Sequence, residues 1–260
     1  MVMGRFGEVQ QRVEMQPEPG AAETEEFMSV AAHDLRNPIA VVRASAQMAQ
    51  RQINRGDTPG AQTRLKSIVD QTDRLTEMLE TFLDAARLGA GQVPLRPERL
   101  DLREVVDSAA ERARMLVGET VVRGIEVDVP DGCIGAWDRP RITRAIRALL
   151  INALLYGDPA LPVRVEAQRV GERVRVCVSG GGAGPYAEEA SRLFERFFRG
   201  RSAAEAGQSG SGLGLFTARG IARLHGGDVR RVDGDLFEIE LPVVADPQAG
   251  PVEPGLNTIP

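Results

Sequence analysis

Apolar positions in the first third of the chain recur with a helical period. From about Thr24 to Asn54, the residues Met28, Ala31, Leu35, Ile39, Val42, Ala46, Ala49 and Ile53 fall mostly three or four apart, the spacing of one helix face. RGDTPG breaks the pattern. A second helix follows, with Leu65, Ile68, Thr72, Leu75, Leu79, Phe82 and Ala86 on one side. Two long helices and a short turn make a hairpin, and a lone hairpin buries too little apolar surface. It either packs on the rest of its own chain or pairs with a second copy as a four-helix bundle. A homodimer is the expected arrangement.

LGAGQVPLRPERL reads as a linker, after which the pattern changes to mixed helix and strand. DLREVVDSAAERARML and RPRITRAIRALLINALLY have helical periods, the latter with Pro140 near its start. GIEVDV, VRVEAQ, ERVRVCV and LFEIELPV read as strands, with Val174, Val176 and Val178 on one face. LGLFTARGIARLHGG is a last helix ending at a glycine pair. This order predicts an α+β fold, a dimeric helical hairpin followed by an α/β two-layer sandwich. The expected boundaries are a lead-in over 1–23, the hairpin over 24–88, a linker over 89–98, the second unit over 99–244 and a disordered Pro- and Gly-rich tail over 245–260. No internal repeat is visible.

Composition narrows the function. With 260 residues the chain holds one large or two ordinary domains. Aromatics are 4% against 42% hydrophobic residues, so the core must be aliphatic. A net charge of −5 argues against a nucleic-acid partner. Cys133 and Cys177 read as two free thiols rather than a disulfide. His33 and His225 lie far apart and far from either cysteine, so no metal-ligand spacing appears. No apolar run approaches the roughly 18–20 residues of a membrane span, and the N-terminus lacks a signal-peptide core. A cytoplasmic chain without a membrane segment is expected.

The first helix carries chemistry. His33 is two residues from both Ala31 and Leu35, about 200° around the helix, and so points away from the core. Asp34 can accept a proton or hold one imidazole tautomer, leaving the other nitrogen nucleophilic. Asn37 is one turn on, on the same face, where its amide could orient a water. Pro38 removes a hydrogen bond to the Asp34 carbonyl, and a kink is expected there. In the second unit, Gly210, Gly212 and Gly214 precede a helix whose free N–H groups can meet phosphate oxygens. The G-x-G-x-G spacing follows the loop GRSAAEAGQS and is not a Rossmann turn.

FMSVAAHDLRNPIAVV resembles the H-box of bacterial sensor histidine kinases. ALLINALLY resembles their N-box, LFERFFRG their F-box, GSGLGL with the following HGG their second glycine box, and VSGGGAGP their first. The motifs stand in the family's order and span roughly Thr24 to Val244. The resemblance implies ATP and Mg2+ as cofactors and a response regulator receiver domain as partner. It makes His33 the phosphoacceptor, Asp34 its acid/base partner and Asn37 the residue that helps dephosphorylate the regulator. It implies a nucleotide site built from Asn152, Tyr156, Gly182, Gly184, Gly210, Gly212, Leu213 and Gly214, with Asn152 on the metal and GRSAAEAGQS as a lid. Arg196 and Arg199 either reach the phosphates or form a solvated face.

Three positions depart from the family pattern. Ala148 stands where a second asparagine is usual, and Leu155 where a lysine or arginine often is. Gly180 replaces an aspartate that accepts the adenine amino group. Losing a hydrogen bond to a charged group weakens binding roughly 10- to 150-fold. The alternatives to a kinase are an ATP-independent phosphotransfer or phosphatase module, and a non-catalytic dimeric scaffold. No sensor domain is present, so the chain is either part of a larger receptor or a small kinase fed by a separate sensor protein.

Overall fold

The structure, a computed structural model, describes residues 21–89, 93–118, 121, 123–201 and 210–243, with side chains from Phe27 onward. The lead-in up to residue 20, most of the expected lid and the tail lie outside the described residues.

Helices α1 (Ala21–Asn54) and α2 (Thr58–Gly89) form the hairpin. The second helix begins inside the breaker RGDTPG. Asp57 Oδ1 accepts the Gly60 N–H at 3.0 Å, a cap for the new helix, and Pro59 needs no donor in the first turn. Helix α1 runs unbroken past Pro38. The expected inward face divides in two. Of its residues Ala49 is buried, as is Ser45 beside the stripe, whereas Met28, Ile39 and Ile53 on α1 and Leu65 and Leu79 on α2 are exposed. A period marks an apolar stripe without saying which neighbour covers each part of it.

The second unit adds β1 (Glu98–Asp101), α3 (Leu102–Val117), β2 (Ile125–Asp128), β3 (Ile134–Trp137), α4 (Arg139–Tyr156), β4 (Val163–Val170), β5 (Arg173–Ser179), α5 (Gly214–Leu224), β6 (Asp228–Asp233) and β7 (Leu236–Pro242). Three of these strands were not expected. β1 lies at the end of the supposed linker and pairs antiparallel with β3, while β6 closes the far edge of the main sheet. That sheet has the order β2-β4-β5-β7-β6. The β2–β4 pair is parallel and the other pairs are antiparallel.

Alternation decides the buried face. Val163 and Val165, then Val174, Val176 and Val178, then Phe237, Ile239 and Leu241 turn inward and pack against α3, α4 and α5. The opposite face carries charge, as in the Arg175–Glu240 pair at 3.1 Å. Asp101 and Asp138 cap α3 and α4, each accepting a backbone N–H of the first turn. Trp137 is fully buried and donates its indole N–H to the Pro242 carbonyl at 2.9 Å. The two-layer arrangement leaves the outer side of α4 free to form a wall.

Both cysteines are free thiols, Cys133 buried and Cys177 half-buried. Among the described residues, no helix is long and apolar enough to cross a membrane.

Candidate active site

His33 projects from α1 with its side chain 74% exposed, and Nδ1 lies 3.1 Å from Asp34 Oδ1. Asp34 is much less exposed, and its Oδ2 is buried without a hydrogen-bond partner among the described residues. A carboxylate oxygen at that distance can accept a hydrogen carried on Nδ1, the tautomer in which Nε2 keeps its lone pair. The imidazole is therefore exposed beside a carboxylate that can orient it.

A cavity of about 820 Å³ lies beside it. Asp34, Asn37 and Pro38 of α1 form part of the wall, whereas His33 does not. From α4 come Ala148, Asn152, Leu155 and Tyr156, which share one helical side by their spacing. Burial pushes the Tyr156 phenol above its ordinary pKa, against an opposing effect of the Arg199 charge. Gly184 lines the cavity after β5, Arg199 lines it from the stretch before the expected lid, and Gly210, Gly212 and Gly214 close it at the start of α5.

The glycines differ in why they are glycines. Gly212 has φ +68°, and a Cβ there would stand 2.6 Å from the Phe197 carbonyl carbon. Gly184 has φ +74°, and its Cβ would collide with the Gly234 carbonyl of the β6–β7 turn. Those two are required by the fold. Among the described residues Gly210 would meet nothing within 4 Å and Gly214 only the Ala148 methyl at 3.9 Å, so their packing does not demand them. At α5 the N-terminal residue Leu213 provides no side-chain cap. Among the described residues, the first turn of α5 thus brings N–H groups without a side-chain cap to the cavity, an arrangement suited to anionic oxygen.

Three expected ligand residues are engaged elsewhere. Arg196 donates to the Ala85 carbonyl at 3.3 Å and lies over the Phe216 ring, so its guanidinium faces the hairpin. Leu213 is fully buried in a cluster with Phe82 and Ala85 of α2, against which Phe27 and Phe197 also pack. The Phe27 ring meets those of Phe82 and Phe197 edge-on, each at 5.8 Å. Phe197 takes φ +61°, which costs backbone energy and is held by this packing. Gly182 lies outside the wall, its N–H bonded to Asp235 at 2.9 Å. Residues 202–209, most of the expected lid, lie outside the described residues.

Charge pairs join the two units. Arg144 reaches Glu80 at 2.7 Å and also pairs with Asp84, while Arg147 and Arg112 converge on Glu77. Burial lowers the Arg147 pKa, and the Glu77 charge opposes that effect. Sequence reasoning missed these pairs, because a helical period cannot show that two charged faces will meet.

It also missed Asp235 and Arg123. Asp235 is 7% exposed and lines the cavity from the β6–β7 turn. Its Oδ2 accepts the N–H groups of Gly180 and Gly182 at 2.8 and 2.9 Å, and its Oδ1 accepts the Ser179 hydroxyl at 3.0 Å. Arg123 donates to the carbonyls of Ala153 at 2.7 Å and Gly180 at 2.5 Å, tying the end of α4 to the loop. Burial lowers the Arg123 pKa, opposed by the charges of Asp235 and Asp158. The Asp235–Gly180 meeting follows from strand register, which no local sequence pattern carries. Val178 pairs with Phe237, so continuing the antiparallel register sets Gly180 opposite Asp235.

Comparison with known proteins agrees with this layout. The family model described as the His Kinase A (phospho-acceptor) domain matches residues 23–91. The model described as histidine kinase-, DNA gyrase B- and HSP90-like ATPase matches residues 137–245. The sensor-like histidine kinase SenX3 of Mycolicibacterium smegmatis is 26% identical over 230 residues, covering 86% of this chain and 59% of that protein. The sensor histidine kinase MtrB of Mycobacterium leprae is 32% identical over 225 residues, covering 84% of this chain and 39% of its own length. The chain therefore spans only about half of these curated relatives. Among solved structures, the Acinetobacter baumannii histidine kinase AdeS shares the fold, with a TM-score of 0.57 at 22% identity over 82% of this chain and 98% of that one. The chain belongs to the histidine kinases and forms a transmitter core, a phospho-acceptor domain followed by an ATPase domain.

Proposed function

We propose that this core transfers the γ-phosphoryl group of ATP to His33 and passes it to an aspartate of a response regulator receiver domain. The observation that carries this reading is the arrangement around α1. An exposed imidazole is paired through Nδ1 with Asp34, and Asp34 and Asn37 share a cavity with Asn152 and the uncapped start of α5.

In this reading the triphosphate lies along the first turn of α5, where backbone N–H groups bind its oxygens. Arg199 adds positive charge. His33 Nε2 attacks the γ-phosphorus in line as the bond to the ADP oxygen breaks. The ring becomes cationic, and Asp34 stabilises it through Nδ1–H or accepts that proton. Asp34 and Asn37 already form wall, so turning α1 by the roughly 100° that separates neighbouring residues brings the ring to the cavity. Asn37 serves the reverse traffic, orienting a water for hydrolysis of the phosphorylated regulator.

Among the described residues, no group of three His, Cys, Asp or Glu side chains could hold a metal alone. Asn152 suits Mg2+ that arrives with the nucleotide, since magnesium commonly keeps phosphate oxygens and waters as most of its ligands. When bound, it would neutralise charge on the phosphate oxygens.

The exposed apolar positions Ile39, Ile53, Leu65 and Leu79 support a homodimer, in which a second hairpin completes a four-helix bundle. The proposed setting is the cytoplasm, with a separate or attached sensor as input. Incubation with labelled ATP, Mg2+ and a purified receiver domain tests the transfer. Label is expected on the receiver with the parent protein and absent with His33→Gln. Label reaching the receiver equally with the variant would refute His33 as the carrier.

A further inference from the structure

The loop after β5, Gly180 to Pro185, carries no carboxylate of its own, yet the cavity wall beside it holds one that is almost fully buried. Among the described wall residues of the ATPase unit, Asp235 is the sole carboxylate. We infer that Asp235, delivered from the β6–β7 turn, is the specificity residue that accepts the exocyclic amino group of a 6-aminopurine. This inference rests on the nucleotide-binding reading above and assigns the base-selecting residue within it.

Steric limits exclude a side chain at position 180. A Cβ on Gly180 would stand 2.5 Å from the Ala153 carbonyl oxygen and 2.9 Å from the Gly157 Cα. Gly157 is equally constrained, its Cβ meeting the Gly180 Cα at 2.6 Å. The end of α4 and the loop are thus in backbone contact, closed by the Asp158 N–H on the Gly180 carbonyl at 3.0 Å. Any carboxylate at this spot must come from another strand. Asp235 Oδ2 stands 3.0 Å from the point a Gly180 Cβ would occupy.

The hydrogen bonds of Asp235 determine which oxygen is available. A carboxylate accepts about four hydrogen bonds. Gly180 and Gly182 fill Oδ2 with two backbone N–H groups, and Ser179 fills one position on Oδ1. One acceptor position on Oδ1 remains. Ile151, Leu155, Leu193 and Phe237 line the same cavity, so a flat base there meets apolar contact and one charged acceptor. A 6-amino group donates to it. A 6-oxo group presents an acceptor to an acceptor and is rejected.

The same geometry predicts an exchange of specificity. In Asp235→Asn the Gly180 and Gly182 N–H groups still require an oxygen at the Oδ2 position. The amide NH2 therefore takes the Oδ1 position, where it can donate to Ser179 and to a 6-oxo group. A residue that only fastens the loop gives no such exchange.

The test is calorimetric titration of the full chain with ATP, inosine 5′-triphosphate and purine riboside 5′-triphosphate, which lacks the 6-substituent. The parent should bind ATP roughly 10- to 150-fold more tightly than the purine riboside analogue. In Asp235→Asn the ratio of ATP to inosine triphosphate affinity should fall by at least about tenfold. The analogue comparison needs no variant and decides the question even if Asp235→Asn folds poorly. ATP and the analogue binding the parent equally would overturn the inference while leaving nucleotide binding intact. A parallel loss for ATP and inosine triphosphate in the variant, with their ratio unchanged, would reduce Asp235 to a fastener of the loop. No binding of any triphosphate by the parent would overturn the nucleotide-binding reading and this inference with it.

Discussion

Replacing Glu77 by alanine removes the carboxylate on which Arg147 and Arg112 converge, at the contact between α2 and the ATPase unit. Glu77 and Arg147 are each 7% exposed, so the arginine left behind would be a buried charge without its partner. Breaking such a pair from one side costs about 3–5 kcal/mol. Undocking can hydrate the arginine, so the loss is capped by the free energy that holds the two units together. We expect about 3 kcal/mol, which at a urea dependence of about 2 kcal/mol/M moves the midpoint by about 1.5 M. Trp137, the single tryptophan, is buried in the ATPase unit, and its fluorescence follows that unit through the transition. Exchanging both partners for leucine should restore most of the loss, because apolar replacement of a buried pair is often neutral or stabilising. A loss under about 1 kcal/mol for Glu77→Ala would refute the reasoning. It would mean that Arg147 is hydrated in solution and the units are not docked as described.

Other expectations follow from the same geometry. Gly212→Ala should destabilise the ATPase unit and weaken nucleotide binding, since its φ is +68° and its Cβ meets Phe197, whereas Gly210→Ala has open space and should leave the urea midpoint unchanged. Buried His225 accepts the Asp138 N–H at Nε2 and bonds Ile221 through Nδ1, so it is held neutral, and burial lowers its pKa below the ordinary 6.5. The unfolded chain then binds the proton more readily. This contribution to stability is full above pH 6.5 and declines as pH falls below it. Urea midpoints at about pH 7.5 and 5.5 should differ less in His225→Gln than in the parent. On the hairpin, Val69 and Leu79 are exposed at 59% and 52%; a Val69→Glu, Leu79→Glu double variant should be monomeric by light scattering while the Trp137 signal stays native.

The elements most legible in the sequence were those with strong local signals. Helices α3 and α4 announce themselves by period together with Asp101, Asp138 and Pro140 at their starts. Strands β1 and β3 have four residues each and little alternation, so only their mutual pairing and the burial of Trp137 define them. The hairpin showed its apolar stripe but not how that stripe is shared, and Met28 and Ile39 face outward while Ser45 is buried. The candidate site divides the same way. His33, Asp34 and Asn37 sit within two helical turns, and the glycine motifs are contiguous. Asp235 meets Gly180 across 55 positions, and Arg147 meets Glu77 across 70. Such partners depend on register and docking, which no local pattern carries. Arg196 shows the converse. Its motif left phosphate contact and a solvated face open, and the fold sets it on Ala85 and Phe216.

The most direct test of the central claim is incubation of the purified chain with γ-labelled ATP and Mg2+ beside a His33→Ala control. The account predicts acid-labile label on the parent, located at His33 by mass spectrometry and absent from the control. Label retained by His33→Ala, or no label on a parent that binds ATP, would contradict it.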